Sequence, residues 1–205
     1  MRTSSLHQVK MMGFQLFFSL AVFAVYTEGT VAYSNGNVSN VCGSMIPGHY
    51  GSPQTSPSPY TVSASMSSYS PGDRIMVTLE APGSSPAFQG FMLQARVKGN
   101  LDPVGCFVSF NSSLSQTLDC SNMTNSSISH RSNIHKTQVK ATWEAPRNAR
   151  PGDIMFCATF VEDYTMFWVN VNSPLIKMAS SSFQLNLPPS KYILLAATGL
   201  FLNYY

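Results

Sequence analysis

The chain of 205 residues is poor in charge: Asp, Glu, Lys and Arg make up 10% of it, where a globular protein usually carries about a quarter. No run of Lys or Arg occurs, so the electrostatic footprint of a nucleic-acid binder is missing. No stretch of about eighteen apolar residues occurs, which excludes a membrane-spanning helix in the mature chain. There is no C-x-x-C pair, and that argues against a zinc site and a redox dithiol. Also missing are G-x-S-x-G, a phosphate-cradling glycine loop and a carboxylate pair of obvious geometry. What is present is a 44% hydrophobic, 12% aromatic composition, too apolar for a disordered chain. Ser and Thr number 43, so hydroxyls take the surface role that charge normally fills. The length suits one domain, which buries roughly two thirds of its unfolded surface.

Both ends read as processing signals. Arg2 and Lys10 precede an apolar run from Met11 to Tyr26, and Thr30 and Ala32 stand at −3 and −1 of a cut before Tyr33. A charged start, a short apolar middle and a small-residue exit make a secretory signal over residues 1–32. As a helix the run spans about 24 Å, short of a ~30 Å hydrocarbon core. Removing it takes two bases and one acid, leaving ten against eight and a net charge of +2. The tail 176–205 holds the small cluster Ala179–Ser182, a spacer with LPPSK, and the uncharged run Tyr192–Leu202. That is the layout of a GPI-anchor signal, with Ser181 one of several candidate attachment sites. A last core element, or a fragment of a longer chain, are the competing readings.

Four cysteines, Cys42, Cys106, Cys120 and Cys157, imply two disulfides in a secreted chain, with three connectivities open. A Cys42–Cys120 bridge closes a loop of about 78 residues and contributes about 4.5 kcal/mol under the chain-entropy model. Cys106 and Cys157 both fall in predicted strands, so the preferred pattern is Cys42–Cys120 with Cys106–Cys157. Asn37, Asn111, Asn122 and Asn125 head N-glycosylation sequons, three of them in a Ser/Asn-rich stretch that reads as an exposed loop.

The middle of the chain alternates with period two, because successive strand side chains point to opposite faces. Ile75, Val77 and Leu79 oppose Arg74, Met76 and Thr78. Phe91, Leu93, Ala95 and Val97 oppose Met92, Gln94, Arg96 and Lys98. Val139, Ala141 and Trp143 oppose Gln138, Lys140 and Thr142. Ile154–Val161 is almost continuously apolar, as in a central strand covered on both sides, and Thr165–Val171 follows as a hairpin partner. Shorter candidates are Tyr60–Ala64 and Gly105–Phe110. Pro71-Gly72-Asp73 and Pro151-Gly152-Asp153 each mark a turn before a strand. With no sustained helical period, the fold class is all-β, an antiparallel β-sandwich. Residues 43–59, with four prolines and three glycines, form an extended arm.

PGHYGSPQ (47–54), PGDRIMVTL (71–79), FQGFMLQAR (88–96), VGCF (104–107), LDC (118–120), KATWEAP (140–146) and MFWVNVNSP (166–174) together resemble the reeler (reelin-type) domain over residues 33–175. That domain opens reelin and spondin-type matrix proteins and ferric-chelate-reductase-like membrane proteins, and stands alone in small insect defence proteins. The resemblance implies an immunoglobulin-like β-sandwich and supports pairing Cys42 with Cys120; Cys106 and Cys157 depart from the pattern. Nothing after Pro174 matches the haem-binding and cytochrome segments of the reductase branch, so ferric reduction is not expected of this chain.

No residue stands out as catalytic. His130 and His135, five apart in HRSNIH, read as solvated loop histidines rather than metal ligands. His49 reads as hydrogen-bonded to nearby backbone. Met45, Met123, Met166 and Met178 lack a suitably placed His with which to ligate haem. With every cysteine bridged, no thiol nucleophile remains. Trp143 and Trp168, with Phe91, Phe107, Phe156 and Phe160, are the expected core; Trp168 is also the better candidate for an exposed platform. Arg147 and Arg150 are expected to cap a turn, or to form a small basic patch. The expectation is a non-catalytic extracellular recognition module without cofactor or metal, whose partner is a glycoconjugate or a protein. It is secreted or lipid-anchored, and acts in innate defence, in matrix adhesion or as an accessory of the reductases.

Overall fold

Alternation along Arg74–Glu80 and Gln138–Glu144 becomes strands β3 and β8, which pair antiparallel with Ile75 opposite Trp143, Val77 opposite Ala141 and Leu79 opposite Val139. All six of these apolar side chains are buried, while Arg74, Met76, Gln138 and Lys140 face solvent. The computed structural model describes residues 33–49 and 51–180. The expected signal at 1–32, Ser181 and the apolar tail lie outside the described residues.

The other strands are β1 (Thr61–Ala64), β2 (Ser68–Tyr69), β4 (Gly90–Val97), β5 (Cys106–Phe110), β6 (Ser115–Cys120), β7 (Met123–His130), β9 (Ile154–Val161), β10 (Phe167–Asn172) and β11 (Lys177–Met178). One sheet has the order β1-β3-β8-β5 and the other β10-β9-β4-β7-β6, every pair antiparallel. A small parallel pair, β11 with β2, lies apart from them. The result is the all-β sandwich expected.

The core fills the space between the sheets. Trp143 is fully buried, donates its indole N–H to the Val104 carbonyl at 2.8 Å, and meets Tyr69 and Phe156 edge-on. Such T-shaped contacts suit the ring quadrupole. Phe88, Phe91, Phe107, Phe160 and Trp168 are buried with it, so Trp168 is core and not an exposed platform. Gly105, at φ 67°, allows the chain to pass the indole: a Cβ there would stand 2.5 Å from the Trp143 ring.

Two sequence expectations fail here. The Ser/Asn-rich stretch expected as an exposed loop instead supplies β6 and the start of β7, joined by a tight turn with Ser121 and Asn122 both at positive φ, the geometry of a type I′ hairpin. Meanwhile Gln94 and Arg96 on β4, and Ser127, Ser129 and His130 on β7, are buried. They lie on the outer face of the five-stranded sheet, and the segment 33–49 crosses that face as a strap. Polar patterning therefore marks a face that is covered, not one that is wet.

The disulfide expectation is half met. Cys42 is bridged to Cys120, tying the strap to β6. Cys106 and Cys157 are free thiols, which corrects the second pairing. Cys106 neighbours core-facing Phe107 on the four-stranded sheet, and Cys157 lies between core-facing Phe156 and Ala158 on the five-stranded sheet. Each thiol thus points away from the core on its own outer face, with both layers between them.

Candidate functional site

Side chains of the five-stranded sheet grip the strap's backbone along its length. His130 Nε2 lies 3.1 Å from the Tyr33 carbonyl, and Gln116 donates its amide to the Asn35 carbonyl. Gln94 Nε2 donates to the Cys42 carbonyl at 3.1 Å. Arg96 donates through one terminal nitrogen to the carbonyls of Cys42 at 2.7 Å and Gly43 at 3.0 Å. Thr159 Oγ1 donates to the Met45 carbonyl at 2.6 Å. Gly36, at φ 70°, passes so close to the His130 carbonyl that a Cβ would collide with it. Val38 and Met45 then plug the strap onto Met92, Leu118 and the disulfide as a second, smaller apolar cluster.

Two cations are buried, Arg96 under the strap and Lys136 in the loop after β7, and both are solvated by carbonyls. Arg96 also donates Nε to Gln94 Oε1 at 2.7 Å. Lys136 Nζ sits 2.7 Å from each of three carbonyls, those of Gln89, Ser132 and Ile134. Burial lowers its pKa to about 8, so it remains an ammonium at neutral pH. It folds the loop after β7 into place beside Gln89.

Where strap, loop and the β9–β10 hairpin meet, a cleft of about 240 Å³ opens, lined among others by Tyr33, His49, Gln89, His130, Asp163 and Tyr164. His49 stacks on Tyr164 at 4.9 Å between centroids and meets Phe167 edge-on at 5.8 Å. Its Nδ1 is buried without a hydrogen-bond partner among the described residues. Burial lowers the His49 pKa, with the Asp163 charge and a backbone hydrogen bond at Tyr164 pulling the other way. The Asp163 carboxyl is held below its ordinary range chiefly by the Thr165 backbone N–H. Its Oδ1 accepts from Thr165 N, Thr165 Oγ1 and Met166 N at 2.7–2.9 Å.

His130 is the largest departure from the sequence reading. It is 8% exposed rather than solvated, and burial pushes its pKa down. The Phe91 N–H donates to Nδ1 at 3.2 Å, so Nε2 carries the proton offered to Tyr33. His135 is exposed, 3.4 Å from the Gln89 side chain. His130 and His49 thus meet at one cleft, and His135 stays outside. Among the described residues no group of three His, Cys, Asp or Glu could hold a metal ion. Met45 is buried, while Met123, Met166 and Met178 are half-buried. Arg147 pairs with Glu144, which also holds Arg74, and Arg150 donates to the Ala179 carbonyl. The asparagines of all four sequons are exposed.

Sequence reasoning missed Gln94, Arg96, Thr159, Gln116 and Lys136. For the first three the signal was there: polar residues set inside FMLQARV and IMFCATFV, strands too apolar to have a wet side.

Residues 40–183 match the family model for the Reeler domain. The chain belongs to the Reeler family. Ferric-chelate reductase 1 of Bos taurus is 40% identical to it over 173 residues, 83% of this chain but 27% of the reductase. This Reeler chain therefore spans about a quarter of that relative's length. "Putative defense protein 3" of Antheraea mylitta is 36% identical over 151 residues, 74% of this chain and 90% of that protein. Among solved structures, the Reelin-N domain of F-spondin superposes with a TM-score of 0.51 at 20% identity, covering 63% of this chain and 93% of that one. That likeness concerns the fold alone. Among the described residues of the Reeler chain no helix is long and apolar enough to cross a membrane.

Proposed function

We propose that this Reeler chain is a non-catalytic extracellular recognition module that binds glycoconjugates on microbial or cell surfaces in innate defence. The observation that carries the reading is the match to the Antheraea mylitta defence protein, which extends over 90% of that relative: there, a Reeler sandwich is nearly the whole molecule. Its localisation follows from a signal cleaved before Tyr33, glycans on Asn37, Asn111, Asn122 and Asn125, and a GPI anchor at or near Ser181. Recognition is the chemistry this surface suits, since the buried cations and His130 are spent on holding backbone. The test is retention of the purified protein on bacterial cells and on lipopolysaccharide, beside a control β-sandwich. Retention above the control is expected; equal retention rejects the defence reading in favour of adhesion to protein partners.

The 40% identity to ferric-chelate reductase 1 favours a second reading, in which the module works beside a haem-bearing partner. A Soret band after reconstitution of the purified chain with haem would support a direct redox role.

A further inference from the structure

We infer that N-linked glycans on Asn37, Asn111, Asn122 and Asn125 cover the open edge of β6 and keep a second copy of the chain from pairing with it; this rests on the extracellular reading above. β6 is the outermost strand of the five-stranded sheet and pairs with β7 alone. The N–H and C=O groups on the far side of such a strand are a template for another chain. The other edges of the two sheets carry ordinary protection. β1 is four residues long, and bulges interrupt β5 between Phe107 and Ser109 and β10 between Trp168 and Val171. The Gln54 N–H also donates to the Phe167 carbonyl at 2.9 Å, so the arm takes up a carbonyl at the start of β10. β6 has six residues and pairs without a break from Ser115 to Leu118. It holds no Lys and no Pro, and its single acid, Asp119, accepts the Asn125 N–H at 2.8 Å.

The fold gathers the sequons around this strand. Asn111 stands just before β6, in a turn where its carbonyl accepts from Leu114 N at 3.1 Å and Ser115 N at 3.0 Å. Asn122 follows the strand in the β6–β7 turn, and Asn125 lies on the returning strand. Asn37 arrives from the strap: Gln116 on β6 holds the Asn35 carbonyl, and Val38 packs in one cluster with Leu118. Sequons from two distant segments thus surround one edge. A glycan is carried on Nδ2, and among the described residues none of these asparagines spends that atom on a hydrogen bond. Asn37 and Asn111 engage Oδ1 alone, accepting from Ser39 Oγ and Ser113 N. Asn40, which heads no sequon, donates Nδ2 to the Tyr33 hydroxyl at 3.3 Å. Glycans are bulky and solubilising, and on this charge-poor edge they stand where other proteins place Lys.

The experiment uses the full chain secreted from eukaryotic cells that keep its glycans in the high-mannose form. Mass mapping is expected to find glycan on Asn37, on Asn111 and in the β6–β7 hairpin. An endoglycosidase then trims the folded protein to one N-acetylglucosamine per site, which changes neither backbone nor charge. Sedimentation velocity should show a monomer before trimming and self-association at least about tenfold tighter after it, with new hydrogen-exchange protection in β6. Ser39→Ala, Ser113→Ala and Thr124→Ala together remove three sequons and should act as trimming does. Lys140→Asn, added to them, makes a sequon with Ala141 and Thr142 on the exposed face of the four-stranded sheet, and its glycan should leave the association unchanged. A trimmed protein that stays monomeric overturns the cover. So does protection that appears away from β6, or a Lys140→Asn glycan that restores the monomer. The two readings fail separately. Secreted protein with bare asparagines rejects the cover and leaves the extracellular reading standing, whereas a chain that is never secreted rejects both.

Discussion

His130, the last residue of β7, reaches the carbonyl of Tyr33, 97 residues earlier in the chain, at 3.1 Å. The contact joins the start of the strap to the end of β7 and makes the strap sensitive to acid. An unfolded histidine titrates near 6.5, and burial holds His130 lower in the folded chain. Below about pH 6.5 the unfolded chain therefore binds a proton the folded chain refuses, and stability falls until the folded value is passed. Above 6.5 the group contributes no slope. His49 acts in the same direction, the neighbouring Lys136 stays charged throughout, and the carboxylates of Glu144, Asp153 and Asp163 titrate below this window. The urea midpoint is expected to drop between pH 7 and pH 5, and to drop less in His130→Gln. Equal pH dependence in the two proteins would refute this.

Lys136→Met leaves three part-buried carbonyls without their shared donor. Unsatisfied buried acceptors are costly, and a loss of about 2–4 kcal/mol is expected. Amide exchange should rise first in the loop after β7. A variant as stable as the wild type would mean that water replaces the ammonium.

Replacing both Cys42 and Cys120 by Ser opens the 78-residue loop and is expected to cost about 4.5 kcal/mol under the chain-entropy model. The strap carries the lost contacts, so limited proteolysis should cut within residues 33–49 before the sandwich. Protection equal to that of the wild type would show that the hydrogen bonds alone hold it.

The two remaining thiols should differ in reach. Cys106 is half-buried and Cys157 is buried, with burial raising both pKa values. Native protein should take up one alkyl group readily at Cys106, and a second at Cys157 only on unfolding without reductant. Mass analysis showing no free thiol would restore the Cys106–Cys157 bridge.

The strands with one wet face, β3 and β8, were legible from alternation alone, because their patterning and environment agree. β9 was legible from its unbroken apolar run. The outer face of β4 and β7 was legible only in part: the apolar neighbours of Gln94 and Arg96 mark a strand without a wet side, but Ser127 and Ser129 look solvent-facing, and nothing local names the covering segment from 50 or more residues earlier. The same blindness placed His130 in a loop and paired Cys106 with Cys157, since a strand's register says nothing of which layer it joins. The cleft, assembled from strap, loop and hairpin, has no contiguous sequence signature at all.

Because His130, Gln116, Gln94, Arg96 and Thr159 all clasp main-chain oxygens of the strap, its attachment is largely indifferent to which side chains it bears. Outside Gly36, Cys42 and the two plugs Val38 and Met45, substitutions along it leave the mooring intact while redrawing one wall of the cleft. The molecule carries an interchangeable lip on a fixed sandwich.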